Sequence, residues 1–138
     1  MLRVIAPLLF LASCASGGGT APTSPTPAVD EEFVLAPGQT AVVKDTAIRV
    51  TFDRVREDSR CPTDVTCIWE GDAVVVLRVK ASADEVTREV HTQGDPPRSR
   101  QAPAGDFVVT LVRLDPAPRS TSAVDPASYR ATLRVGRE

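Results

Sequence analysis

Residues 67–81 read CIWEGDAVVVLRVKA, and their alternation decides the fold class. Taken as one strand, the odd positions are Cys67, Trp69, Gly71, Ala73, Val75, Leu77, Val79 and Ala81, a column that is wholly apolar or small. The even positions include Glu70, Asp72, Arg78 and Lys80. Successive side chains of a strand point to opposite faces, so a period of two predicts one buried and one wetted face. The odd column would face the core, with Gly71 and Ala73 leaving room for the Trp69 indole beside Cys67. That column favours Trp69 as a core plug over a ring that stacks a ligand such as a sugar.

The same period recurs on both sides. Residues 48–53 (IRVTFD) and 129–135 (YRATLRV) alternate without a break, and each predicts a half-buried strand. Residues 107–114 (FVVTLVRL) are apolar on both faces, as a central strand would be. Residues 33–35 and 40–43 are shorter candidates around a Pro37-Gly38 turn. Residues 82–92 pull both ways: Ser82 and Glu85 have capping-box spacing, whereas Val86, Thr87, Val90 and Thr92 are β-branched. An edge strand is the reading adopted there. About seven short strands separated by turn residues predict an all-β fold, a single antiparallel β-sandwich or small barrel over residues 33–138.

Three cysteines punctuate the chain. Cys61 and Cys67 are close enough for a turn through Pro62 to join them, and a loop this small removes about 2.4 kcal/mol of unfolded-chain freedom. Zinc would need four ligands, and a redox pair would favour C-x-x-C, so a structural disulfide is the better reading. Six residues cannot bridge two sheets with strands between, which excludes an immunoglobulin-type disulfide.

Residues 1–13 (MLRVIAPLLFLAS) have one basic residue, Arg3, then a short apolar run, the pattern of a secretory signal. Leu11-Ala12-Ser13-Cys14, directly after that run, resembles a bacterial lipobox. The resemblance implies removal of residues 1–13 and acylation of Cys14, several acyl chains giving a durable membrane anchor. Ala15, which is not Asp, implies sorting to the outer membrane, facing periplasm or cell surface; the outer face of the cytoplasmic membrane is the alternative. Residues 14–32 would be the lipidated cysteine and a disordered Gly/Ser/Thr/Pro tether, since residues 15–28 hold no charge and no large side chain. Asp58-Ser59-Arg60-Cys61-Pro62, followed by Cys67, Trp69 and Gly71, resembles a domain of small uncharacterised bacterial lipoproteins. That second resemblance implies the scaffold and brings no activity.

The chemistry inventory is mostly negative. The chain has 138 residues, a formal net charge of −2 and one histidine, His91. A near-neutral balance gives no reason to expect nucleic acid. A lone His without G-x-S-x-G, no Walker or Rossmann glycines and no H-E-x-x-H argue against an enzyme, a cofactor or a metal. Acids crowd the disulfide (Glu57, Asp58, Asp64, Glu70, Asp72) without calcium-loop spacing, and Arg54, Arg56 and Arg60 lie near enough to pair with them.

If successive strands alternate direction, the turn 36–39, the disulfide loop and the loop 93–105 share one end. The turn after Val43, the turn near Ser82, the loop 116–127 and the tether would share the other. The expectation is a monomeric, non-catalytic binding module whose disulfide end, with Asp58, Arg60, Arg98 and Arg100, meets an envelope protein or a polyanion. The alternatives are a protease inhibitor presenting Arg60 on the braced loop, or a purely structural envelope lipoprotein.

Overall fold

The computed structural model describes residues 23–138; the leader, Cys14 and the first part of the tether lie outside them. Eight strands follow in order: β1 Glu32–Leu35, β2 Thr40–Val42, β3 Arg49–Asp58, β4 Ala73–Lys80, β5 Glu85–His91, β6 Gln101–Ala104, β7 Phe107–Asp115 and β8 Arg130–Arg137. They form two four-stranded sheets, β1-β8-β7-β6 and β2-β3-β4-β5, with every pairing antiparallel. The sandwich expected from the alternation is therefore present.

Its core sits between the two inner faces. Phe33 and Leu35 of β1, Val50 and Phe52 of β3, Val75, Leu77 and Val79 of β4, and Leu133 and Val135 of β8 are buried there, each at the parity its sequence predicts. β4 is central, and Val74 and Val76 on its other face are buried too. Arg56 of β3 pairs with Glu89 of β5 across that face at 2.9 Å, and long side-chain stems cover apolar surface while their heads stay wet. The stretch read as ambiguous is β5, an edge strand.

Three sequence expectations are corrected. First, the strand expected over residues 67–81 begins only at Ala73. Gly71 has a φ of +68°, and a Cβ there would lie 1.8 Å from the Ser59 carbonyl oxygen. A left-handed residue reverses the pleat, so the parity counted through residues 67–71 is lost. Trp69 turns outward and is 82% exposed, with Ile68 beside it at 94%. Trp69 is not a core residue.

Second, part of the loop expected at 93–105 is a strand. β6 pairs with β7 from Gln101–Thr110 to Ala104–Phe107, through a tight turn in which Gly105 has a φ of +65°. One extra strand inverts the end assigned to everything after it. The loop 116–129 therefore joins the disulfide end: Thr63 N donates to the Pro118 carbonyl at 3.1 Å, and Ser120 N donates to Asp64 at 2.9 Å. The loops 59–72 and 92–100 do share that end, as expected.

Third, the folded body starts well before residue 33. Val42 N donates to the Pro25 carbonyl (3.0 Å) and Lys44 N to the Pro27 carbonyl (2.8 Å), so residues 25–27 run parallel beside β2. Asp30 N then reaches the Val135 carbonyl at 2.8 Å. Proline cannot donate but its carbonyl still accepts, which suits it to cover a sheet edge. Gln39 Nε2 donates to the Thr23 carbonyl at 3.1 Å, so the described chain starts beside the β1–β2 turn and not at the end opposite the disulfide.

Candidate binding surface at the disulfide end

Three long connections, 59–72, 92–100 and 116–129, meet at one end of the sandwich. Cys61 and Cys67 form a disulfide with their Cα atoms 5.9 Å apart, closing the tip of the first loop. Below the tip, the two arms stay in register: Ser59 N donates to the Asp72 carbonyl at 2.7 Å and Cys61 N to the Glu70 carbonyl at 2.8 Å. The close passage of Gly71 past Ser59 is what this short ladder requires.

Arg60 pins the loop to the body. Its guanidinium grips Asp58 through Nε (2.8 Å) and Nη2 (2.6 Å), and also donates to the carbonyls of Leu114 (2.7 Å) and Pro116 (2.9 Å). Tyr129 OH donates to Asp58 Oδ2 at 2.9 Å. Burial opposes the charge on Asp58, but the bonds from Arg60 and Tyr129 outweigh it and hold its pKa below the usual carboxylate range. Burial, then the bond to Asp58, pushes the Tyr129 pKa up to about 12.

Asp72 ties the disulfide loop to the loop 92–100. It meets His91 Nδ1 at 2.6 Å and accepts from Thr92 Oγ1 (3.0 Å) and Gln93 N (3.1 Å). Ala73 N in turn donates to Thr92 Oγ1 at 2.9 Å. Burial raises the Asp72 pKa, yet these donors together lower it. His91 is thus a bracing group with an evident partner.

Against this rigid frame stands the exposed Trp69. A groove of ≈ 480 Å³ runs beside it, lined by Trp69, Glu70, Gly71, Gln93, Asp95 and Arg98. Gln93 Nε2 donates to Glu70 at 3.2 Å, and Arg98 pairs with Asp95. A wider groove of ≈ 690 Å³ lies at the opposite end, between residues 28–29, 44–48 and 105–107. Its aromatic, Phe107, is already covered by the Arg137 guanidinium 5.5 Å from the ring centroid. Among the described residues, only the disulfide end offers a large, mostly exposed aromatic ring to solvent.

The four nominated residues fare differently. Asp58 and Arg60 are a stapled pair with side chains only 10% and 14% exposed, so neither forms a surface. The Arg60 side chain is turned inward, and this removes the basis for presenting it to a trypsin-like protease. Arg100 is spent on the carbonyls of Leu111 (3.1 Å) and Val112 along β7. Arg98 alone lines the groove, and it is neutralised by Asp95. The free basic patch that a polyanion would require is not built from these residues.

The sequence reading missed Trp69 as a surface group. The signal was present in the adjacent apolar pair Ile68-Trp69, which a period of two cannot bury together, and in the glycine two residues on. Comparison with protein-family models, with curated proteins and with solved structures found no match to this chain.

Proposed function

We propose that this chain is a lipid-anchored, non-catalytic binding module of the cell envelope, with the disulfide end as its contact surface and Trp69 as its anchor. The observation that carries the reading is the 82% exposed indole on a loop held by a disulfide, an arginine staple and an aspartate hub. An exposed apolar ring costs solvation free energy unless something covers it, and bracing removes the ordering cost of covering it. Tryptophan is also, with tyrosine and arginine, enriched among residues that dominate binding. The Cys14 lipobox supports anchorage, and Ala15 supports the outer membrane as its place.

A photoreactive residue placed at position 69 and, separately, at Asp106 in the turn of the opposite end tests this in intact cells. A discrete adduct, protein or glycan, from position 69 and none from position 106 is expected. Equal labelling from both positions, or none from 69, would refute the reading. Mass spectrometry of the amino terminus tests the anchor: an unacylated Cys14, or a retained leader, removes it.

A further inference from the structure

We infer that the groove beside Trp69 binds a neutral saccharide. The inference rests on the disulfide end being the contact surface and adds the chemical class of what it meets. An indole face offers a flat, polarisable, electron-rich plane, to which the C–H face of a pyranose ring presents slightly positive hydrogens. Sugar hydroxyls both donate and accept, so they need a rim carrying both kinds of partner.

The groove has that rim. Gln93 and Arg98 supply N–H donors; Glu70, Asp95 and the Gln93 amide oxygen supply acceptors. Gln93 is joined to Glu70, and Arg98 to Asp95, contacts at the surface that orient these side chains along the groove. A carboxylate has about four lone-pair sites and a guanidinium five donors, so each pair keeps capacity for a ligand. The ≈ 480 Å³ volume lies in the range of small-ligand clefts, roughly 300–1,000 Å³.

The alternatives fit less well. Two carboxylates, Glu70 and Asp95, line the groove against one guanidinium, Arg98, itself paired, so the local field repels an anion. An apolar peptide would find one aromatic wall and otherwise carboxylates, an amide and a guanidinium, whose desolvation it could not compensate. Ile68 lies outside the groove lining.

Trp69 is the sole tryptophan of the chain, so intrinsic fluorescence of the full-length protein in detergent reports on this site. The probes are chitotetraose and cellotetraose as neutral oligosaccharides, with heparin as a polyanion. A saturable spectral change with at least one neutral oligosaccharide and none with heparin is expected. Gln93→Ala and Asp95→Ala should each weaken binding about threefold to tenfold with the melting temperature unchanged. Trp69→Ala, followed by calorimetry, should abolish it. No saturable response to either neutral probe, an equal response to heparin, or binding indifferent to these substitutions would overturn the saccharide. Adducts from position 69 to a protein, without any saccharide response, would overturn it while leaving the contact surface standing. Absence of both would remove both.

Discussion

Replacing Arg60 by alanine tests whether this residue is a staple or a presented side chain. The substitution strips two donors from Asp58 and one each from the carbonyls of Leu114 and Pro116. Breaking a buried ion pair from one side costs about 3–5 kcal/mol, because the other charge stays behind. Here Asp58 keeps Tyr129 OH at 2.9 Å and the amide of residue 60 at 3.3 Å, and its side chain is 10% exposed, so water can reach part of it. The expected loss is therefore about 2–3 kcal/mol, and for a domain of this size about 8–12 °C in melting temperature. Urea unfolding followed by far-UV circular dichroism, with the disulfide intact, measures it.

The acid limb supplies a second readout. Asp58 has a folded pKa below its unfolded value, so its contribution to stability is present above about pH 4 and is lost as pH falls through the folded pKa. Without Arg60 the folded pKa rises, the two states bind protons more equally, and the stability curve below pH 4 flattens. A loss under about 1 kcal/mol with an unchanged acid limb would refute the staple, and inhibition of trypsin by the wild type through Arg60 would restore the presented side chain.

Trp69→Ala should change stability by no more than about 0.5 kcal/mol, since the ring is exposed; a loss above about 2 kcal/mol in urea titration would mean that it is buried after all. Gly71→Ala meets the Ser59 carbonyl at 1.8 Å from an ideal Cβ and must also hold a φ of +68°, so a loss of more than about 2 kcal/mol is expected in thermal melts. Replacing both Cys61 and Cys67 by serine should cost about 2.4 kcal/mol and release the tip, which limited proteolysis of loop 59–72 would report as faster cleavage. Asp72→Asn, which keeps the shape but removes the charge facing His91, should flatten a further part of the acid limb, because Asp72 also has its pKa lowered in the folded state.

Strands whose two faces differ were legible in the sequence because burial enforces their period: β3 and β8 lie where the alternation placed them, β7 lies where the run apolar on both faces placed it, and β5 is the edge strand expected. β6 was not legible, since its four residues, QAPA, hold no large apolar side chain and include Pro103, which reads as a breaker. Its place is fixed by long-range pairing to β7 instead. Residues 23–28 were read as tether because their composition is poor in apolar bulk; what orders them is backbone acceptance by Pro25 and Pro27, which composition does not encode. The disulfide followed from the short spacing of Cys61 and Cys67 together with the exported setting that the leader implies, and the Asp58–Arg60 pairing from charge proximity. Trp69 was misplaced for one local reason, the left-handed backbone at Gly71, which interrupts a pattern that otherwise runs on to Lys80.

Chain parity and site are connected. With β6 counted, the connections opposite the disulfide end are the short ones, 43–48, 81–84 and 105–106, whereas 59–72, 92–100 and 116–129 gather at the other. Long connections lose more conformational entropy on ordering than tight turns do, so a fold that concentrates them must supply bonds to hold them. The bonds are specific: Asp64 takes Ser120, Asp58 and Arg60 take Tyr129 and the carbonyls of Leu114 and Pro116 where β7 ends, and Asp72 takes His91, Thr92 and Gln93. Each joins the disulfide loop or its base to one of the other two connections, so the acids that crowd the sequence here act as fasteners. Glu70 and Asp95 differ, being turned toward the groove with Trp69. Folding thus meets the ordering cost of the three loops in advance, and what it leaves uncovered at this end is the indole, with Ile68 beside it, above a rim of paired polar groups.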